Sequence, residues 1–249
     1  SGSLYGAHFL SNGFTTNTFD ISRNKSGDTY IYLAIAEQVY NANAVTANQT
    51  NPFNDGSQVA QYEFEDNADD SQPNGYIGKG GTFNGTSSYI SLGTSNPLNT
   101  FGGEQTISIW IKPNTSTHQE IIGYRNDTSL QWNYLEKMSN NTIRFLLRKS
   151  TTPLLVFNTV GTVTLNQWNH IVVTVNSTIA KIYINSGTAE TAANTITSFS
   201  NSEETKIGDN DTGQGVNYFN GSIDQLRIYN TVLNPNDVWL LYSETSATS

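Results

Sequence analysis

The sequence predicts an all-β fold: a two-sheet sandwich preceded by a small β-hairpin segment and completed by one short C-terminal helix. Three observations carry this. Charged residues are only 13% of the 249, while Asn, Ser, Thr and Gly abound, the composition of many short strands joined by polar turns. Period-two alternation recurs: Ile107, Ile109 and Ile111 share one face of TISIWIK, and Ile171, Val173 and Val175 share one face of HIVVTV, as half-buried antiparallel strands require. Clusters of Gly, Asn and Ser punctuate these stretches, and many evenly spaced short strands make a sandwich.

Taken in order, residues 7–37 hold two strand-like stretches, AHFLSNGFTTNTFDI and DTYIYLAIAE, flanking the turn-rich RNKSG, where Gly27 suits a positive φ. They form the hairpin segment, 1–40. Residues 41–58 have no sustained periodicity and read as a linker. The sandwich then spans 59–244, with further strands expected at 121–124, 143–148, 154–158, 181–185, 206–208 and 223–229. Near the end, Asn234 can cap a helix, Pro235 fits its first turn, and Val238, Leu241 and Tyr242 recur at helical spacing, so a helix is expected to lid the sandwich edge. Residues 245–249 form a tail.

Composition also excludes. Twelve Lys and Arg against 21 Asp and Glu give a net charge of −9, which argues against nucleic acid as a partner, because that affinity comes from phosphate contacts by Lys and Arg. The sequence has no cysteine, so disulfides, thiolate nucleophiles and Cys-based zinc sites are impossible. The longest apolar runs, such as 30–36, fit single strands, and no membrane insertion is expected. His8, His118 and His170 are widely separated and no Ser lies in a G-x-S-x-G elbow, so a hydrolase triad has no support.

Six segments carry a family likeness: FEDNADDS (64–71), FNGTSSYISL (83–92), ISIWIKP (107–113), WNHIVVTV (168–175), IYINSG (182–187) and FNGSIDQLRIYNTVLNPNDVWLLYSE (219–244). In this order the sequence resembles the Laminin-G-like, concanavalin A-like lectin/glucanase superfamily, which implies a two-sheet jelly roll. The first segment, SNGFTTNTFDISRNKSGDTYIYLAIAE, and NPFNDGSQVAQYEF are similar to what precedes such sandwiches in bacteriophage tail proteins. That resemblance implies an extracellular virion tail component meeting host-surface polysaccharide or glycoconjugate, beside other tail subunits and as a homotrimer. Glucanases of the superfamily carry an E-x-D-x-E pair of carboxylates on one strand. No strand here offers it, and the cluster Glu63, Glu65, Asp66, Asp69 and Asp70 aligns with a turn away from the cleft. A non-catalytic module is therefore expected.

Two sets of residues are candidates for a site. Asp224 shares strand parity with Leu226 and Ile228, which puts its carboxylate on the apolar side, where an unpaired charge costs several kcal/mol. Either backbone amides compensate it or Ca²⁺ does, since calcium gathers six to eight oxygens; the family resemblance favours calcium, with Asp66 or Asp70 as co-ligands. The loop Asp209-Asn210-Asp211, followed by Gly213 and Gly215, reads as a solvated turn or a rim ion site. For sugar, Trp132 and Tyr134 alternate in LQWNYLEK beside Asn126 and Asp127, with Tyr124, Tyr218 and Phe219 as further members, because pyranose C–H faces stack on rings. Trp110 and Trp168 read as core framework, and the plain alternative is that the other aromatics fill the core as well. Three functions stay open: adhesion to host glycans, oligomer assembly through the hairpin unit with Tyr30, Tyr32 and Leu33 buried, and a carbohydrate-binding module of a secreted glycanase.

Overall fold

The computed structural model describes the backbone of residues 7–10 and 13–16, and residues 53, 55–62, 80–126, 129–151, 154–200, 202–209 and 217–243. The chain divides into two compact units, Ser1–Ala44 and Val45–Ser249. In the first, β1 (Ala7–Leu10) and β2 (Gly13–Thr16) pair antiparallel, Leu10 opposite Gly13. This pairing lies within the first strand-like stretch, and RNKSG lies outside the described residues. The stretch expected at 28–37, with Tyr30, Tyr32 and Leu33, lies outside the described residues.

In the second unit, β3 (Gln58–Tyr62), β4 (Gly81–Asn84) and β5 (Ile90–Ser91) lead to a 3-10 turn at Pro97–Asn99. Four longer strands follow β6 (Thr100–Phe101): β7 (Glu104–Pro113), β8 (Gln119–Asn126), β9 (Gln131–Lys137) and β10 (Thr142–Arg148). Next come β11 (Leu154–Thr162), β12 (Asn169–Asn176), β13 (Ile179–Ile184) and β14 (Glu190–Ala193). Last are β15 (Phe199–Ser200), β16 (Lys206–Ile207), β17 (Asn220–Tyr229) and helix α1 (Pro235–Ser243).

These strands build two antiparallel sheets, one of six strands in the order β11-β10-β9-β8-β16-β5, and one of seven in the order β14-β13-β12-β7-β17-β3 with β4 also on β17. Between them lies the core: Ile107, Ile109, Ile111, Ile171, Val173 and Val175 meet Ile122, Leu135, Phe145, Leu147 and Phe157. Each large apolar side chain so enclosed contributes about 1.5–3 kcal/mol. Both alternating stretches thus present to the core the faces their period predicts.

The strand β17 departs from simple alternation. Asp224 lies opposite Trp110 while Arg227 lies opposite Ser108, so one extra residue is inserted, and Gln225 takes a φ of +49° there. Such a bulge inverts side-chain parity downstream. Ile223, Leu226 and Ile228 all reach the core, whereas Asp224 turns to the outer face of the seven-stranded sheet. The parity expected to put Asp224 with Leu226 and Ile228 is corrected by this bulge, although the carboxylate is buried all the same.

Helix α1 begins with a reciprocal cap. Asn234 Oδ1 accepts from the backbone N–H of Asn236 (2.8 Å) and Asp237 (3.1 Å), and Asp237 Oδ2 accepts from the Asn234 N–H at 3.1 Å, which satisfies donors that the helix start leaves open. Val238 and Leu241 then pack on Val172, Tyr183, Tyr229 and Leu233. The helix thus covers a face of the seven-stranded sheet rather than lidding an edge.

Candidate functional site

The covered face is filled with packing contacts. Trp110 stacks on His170 at 4.8 Å between ring centroids and on Tyr242 at 5.6 Å. Ser108 Oγ sits 2.8 Å from His170 Nε2, but both residues are buried, so no substrate reaches this hydroxyl. Burial, assisted by the nearby Arg227 cation, lowers the His170 pKa to about 3. The imidazole is held neutral as part of the packing.

The outer face of the six-stranded sheet is different. Leu135, Phe145, Leu147, Leu155 and Phe157 point into the core, so by alternation their neighbours point outward. The register aligns those neighbours in three cross-strand rows. The first reads Leu154, Arg148, Trp132, Arg125, and the second Val156, Leu146, Tyr134, Gly123, Lys206, Ser91. The third reads Asn158, Arg144, Glu136, Glu120. Tyr89, Leu154 and Val156 are exposed among the large apolar side chains.

Trp132 and Tyr134 share this face, as their spacing predicts, with ring centroids 6.2 Å apart. Trp132 is half-buried and carries the guanidinium of Arg148 4.3 Å from its ring centroid and that of Arg125 at 5.0 Å. Tyr134 is only 4% exposed, and burial, followed by the charge of Glu136, raises its pKa. Lys206 lies 4.7 Å over the Tyr89 ring, so a second cation–aromatic pair stands on the far side of Gly123.

Tyr124 and Phe219 point elsewhere. Tyr124 is fully enclosed edge-on to Phe199 (6.4 Å), and Phe219 edge-on to Phe83 (6.1 Å). Both belong to the core between the sheets; Tyr124 shares the parity of Ile122 and lies opposite Asn133, while it is Arg125 that lies opposite Trp132. The structure thus withdraws Tyr124 from the sugar platform. Tyr218 is half-buried on the segment whose Asn217 carbonyl accepts from the Glu120 N–H, beside the third row rather than at Trp132. Asn126 receives the Ser129 N–H at 2.7 Å and donates to Glu203; Asp127 lies outside the described residues. Trp168 is half-buried and Trp110 buried.

For a metal, Asp224 is buried and its Oδ1 accepts the Gln225 N–H at 2.7 Å. Asp66 and Asp70 lie outside the described residues. Among the described residues no three His, Cys, Asp or Glu come together to hold an ion, so these residues alone do not make a calcium site. Asp209 is buried and pairs with Lys206 at 3.3 Å; 210–216 are outside the described residues.

Two carboxylates escaped the reading by single strands. Glu120 and Glu136 are directly opposite each other on β8 and β9, both nearly enclosed. A search for E-x-D-x-E on one strand cannot see a pair formed across two. Glu136 is committed to Arg144 and to His118 Nε2 at 3.1 Å, which reads as an ion-pair network. A further concavity of about 600 Å³ opens beside Pro97, Gly102, Glu104 and Asn230, where Gln105 is already bonded to Pro97 O (3.3 Å) and Asn133 (3.2 Å).

Comparison with known proteins agrees with this architecture. Domain 4 of AbnA, an extracellular arabinanase from Geobacillus stearothermophilus solved with arabinotriose, is similar at 25% identity and TM-score 0.56, over 74% of this chain and 87% of that one. A heptameric pentraxin from Limulus polyphemus is similar at 16% identity and TM-score 0.51, over 65% and 80%. The binding domain of botulinum neurotoxin DC, solved with rat synaptotagmin II, is similar at 17% identity and TM-score 0.59, over 77% of this chain and 52% of that one. The last two likenesses concern the fold alone. No curated protein matches the sequence. The Laminin_G_3 family matches residues 84–239, and with its two antiparallel sheets the chain belongs to the concanavalin A-like lectin/glucanases superfamily.

Proposed function

We propose that the protein is a non-catalytic glycan-recognition module whose binding surface is the outer face of the six-stranded sheet. One observation carries this: helix α1 closes the outer face of one sheet, while the other presents a half-buried Trp132 with Arg125 and Arg148 over its ring. The likeness to an arabinanase domain solved with arabinotriose supports a carbohydrate as ligand. The resemblance of the first residues to phage tail proteins supports a finer reading, a host-adhesion module on a virion tail, assembled with other tail subunits as a homotrimer. Tyr218, at the Glu120 end, would extend the surface. Calcium belongs to this proposal too, with Asp66 and Asp70 joining Asp224.

The test is titration against a glycan array and isolated polysaccharides. Trp132→Ala should abolish or strongly weaken binding while the protein stays folded, because one aromatic contact of about 1 kcal/mol or more decides a weak site. Tyr124→Ala should instead destabilise by about 3–5 kcal/mol through a core cavity. A folded wild type that binds no glycan would overturn the reading. The paired carboxylates Glu120 and Glu136 favour one competing reading, a glycanase. Reducing-end release that Glu136→Gln abolishes would establish it, and none is expected.

A further inference from the structure

We infer that the sheet-face site selects anionic glycans, chains bearing carboxylate or sulfate, over neutral ones. This rests on the glycan-binding reading and narrows it to a ligand class.

A neutral sugar needs a bare aromatic face for its C–H groups. The Trp132 ring is already met by the guanidinium groups of Arg148 at 4.3 Å and Arg125 at 5.0 Å, which reach it from the neighbouring strands on either side. A guanidinium stacked on a ring keeps its N–H donors in its own plane, free of the stacking contact and suited to bidentate pairing with carboxylate or sulfate oxygens. What this part of the surface offers a ligand is therefore arginine N–H.

Charge points the same way. Arg125, Arg144, Arg148 and Lys206 all stand on this face, with the carboxylates Glu120 and Glu136 confined to its third row, away from Trp132. Glu136 answers Arg144, and Asp209 answers Lys206. Arg148 has no carboxylate partner among the described residues: it donates Nε–H to the Ser150 carbonyl at 2.7 Å and otherwise meets the Trp132 ring. A cation held in place by a ring and a carbonyl is pre-organised for an outside anion. Arg148 therefore carries the pairing with an outside anion, while Arg125 meets the same ring from the other neighbouring strand.

The experiment titrates the full chain with polygalacturonate, dextran sulfate, neutral dextran and linear arabinan, with the Arg148→Gln, Arg148→Lys and Trp132→Ala variants alongside. One or both charged chains should bind at least about tenfold more tightly than either neutral chain. Binding should weaken steeply as salt rises from about 0.05 to about 0.5 M. Arg148→Gln should lose about tenfold with an unchanged melting temperature, and Arg148→Lys should restore only part of it, because an ammonium lacks the planar fork. Polygalacturonate and dextran sulfate separate carboxylate from sulfate as the preferred group. Salt-independent binding of arabinan or dextran that Trp132→Ala abolishes and Arg148→Gln spares would overturn this inference while leaving the glycan module intact. A folded protein that binds none of the four chains nor any array glycan would overturn both.

Discussion

Two side chains of the covered face show how burial turns a chemically suggestive pair into a structural one. Ser108 and His170 have the 2.8 Å contact of a nucleophile and its base, yet Trp110 and Tyr242 stack over them. His170 stays neutral down to about pH 3 against an ordinary value of 6.5. Between those values the unfolded chain takes up a proton that the folded chain refuses, so stability present above pH 6.5 is lost as pH falls toward 3. Denaturant unfolding at steps from about pH 7 to about pH 4 should show this decline, and His170→Gln should flatten it. An identical slope in the variant would assign the acid sensitivity to other groups. The same burial argument withdraws Tyr124 from the candidate binding residues, since no ligand reaches a ring enclosed against Phe199.

At the scale of elements, α1 is the part whose local code is most complete. Asn234, Pro235 and Asp237 supply cap, first-turn proline and reciprocal acceptor within four consecutive residues; the sequence shows the first two, and the structure adds Asp237. Asn234→Ala should cost about 1 kcal/mol, a fall of roughly 2–4 °C in Tm for a chain of this size. Calorimetry checks it, and Asn234→Asp should recover most of the loss because a carboxylate accepts the same bonds. Strand β17 is the opposite case. Its residues alternate in sequence as if straight, and the inserted residue at Gln225 is visible only in the pairing with β7. The bulge decides that Asp224 faces outward with Trp110 rather than inward with Leu226.

For the whole molecule, the sandwich divides its labour by face. One outer face is closed by a helix, and the other gathers four of the 12 cations of an acidic chain. That asymmetry bears on calcium as well. If Asp66, Asp70 and Asp224 hold an ion, it binds the folded state alone and stabilises it by mass action. Excess Ca²⁺ after EDTA treatment should then raise the melting temperature, and Asp224→Asn should remove that response. An unchanged melting temperature in wild type would sink the calcium reading.

The sequence by itself determined the fold class, most strand positions, the capped helix and the shared face of Trp132 and Tyr134, because each follows from periodicity or from chemistry within a few residues. Ile107, Ile109 and Ile111 announce their core face with no help from the rest of the chain. Only the tertiary structure decided which aromatics were open and what stood over them. Tyr124 and Trp132 look alike in sequence, yet the register of β8 on β9 sets Tyr124 opposite Asn133 on the core side and Arg125 opposite Trp132 on the outer side. The arginines over Trp132 come from two other strands, β8 and β10, and Glu120 meets Glu136 across the β8–β9 pairing. These arrangements depend on strand register, which is set by contacts between residues distant in the chain, and no local pattern carries that information.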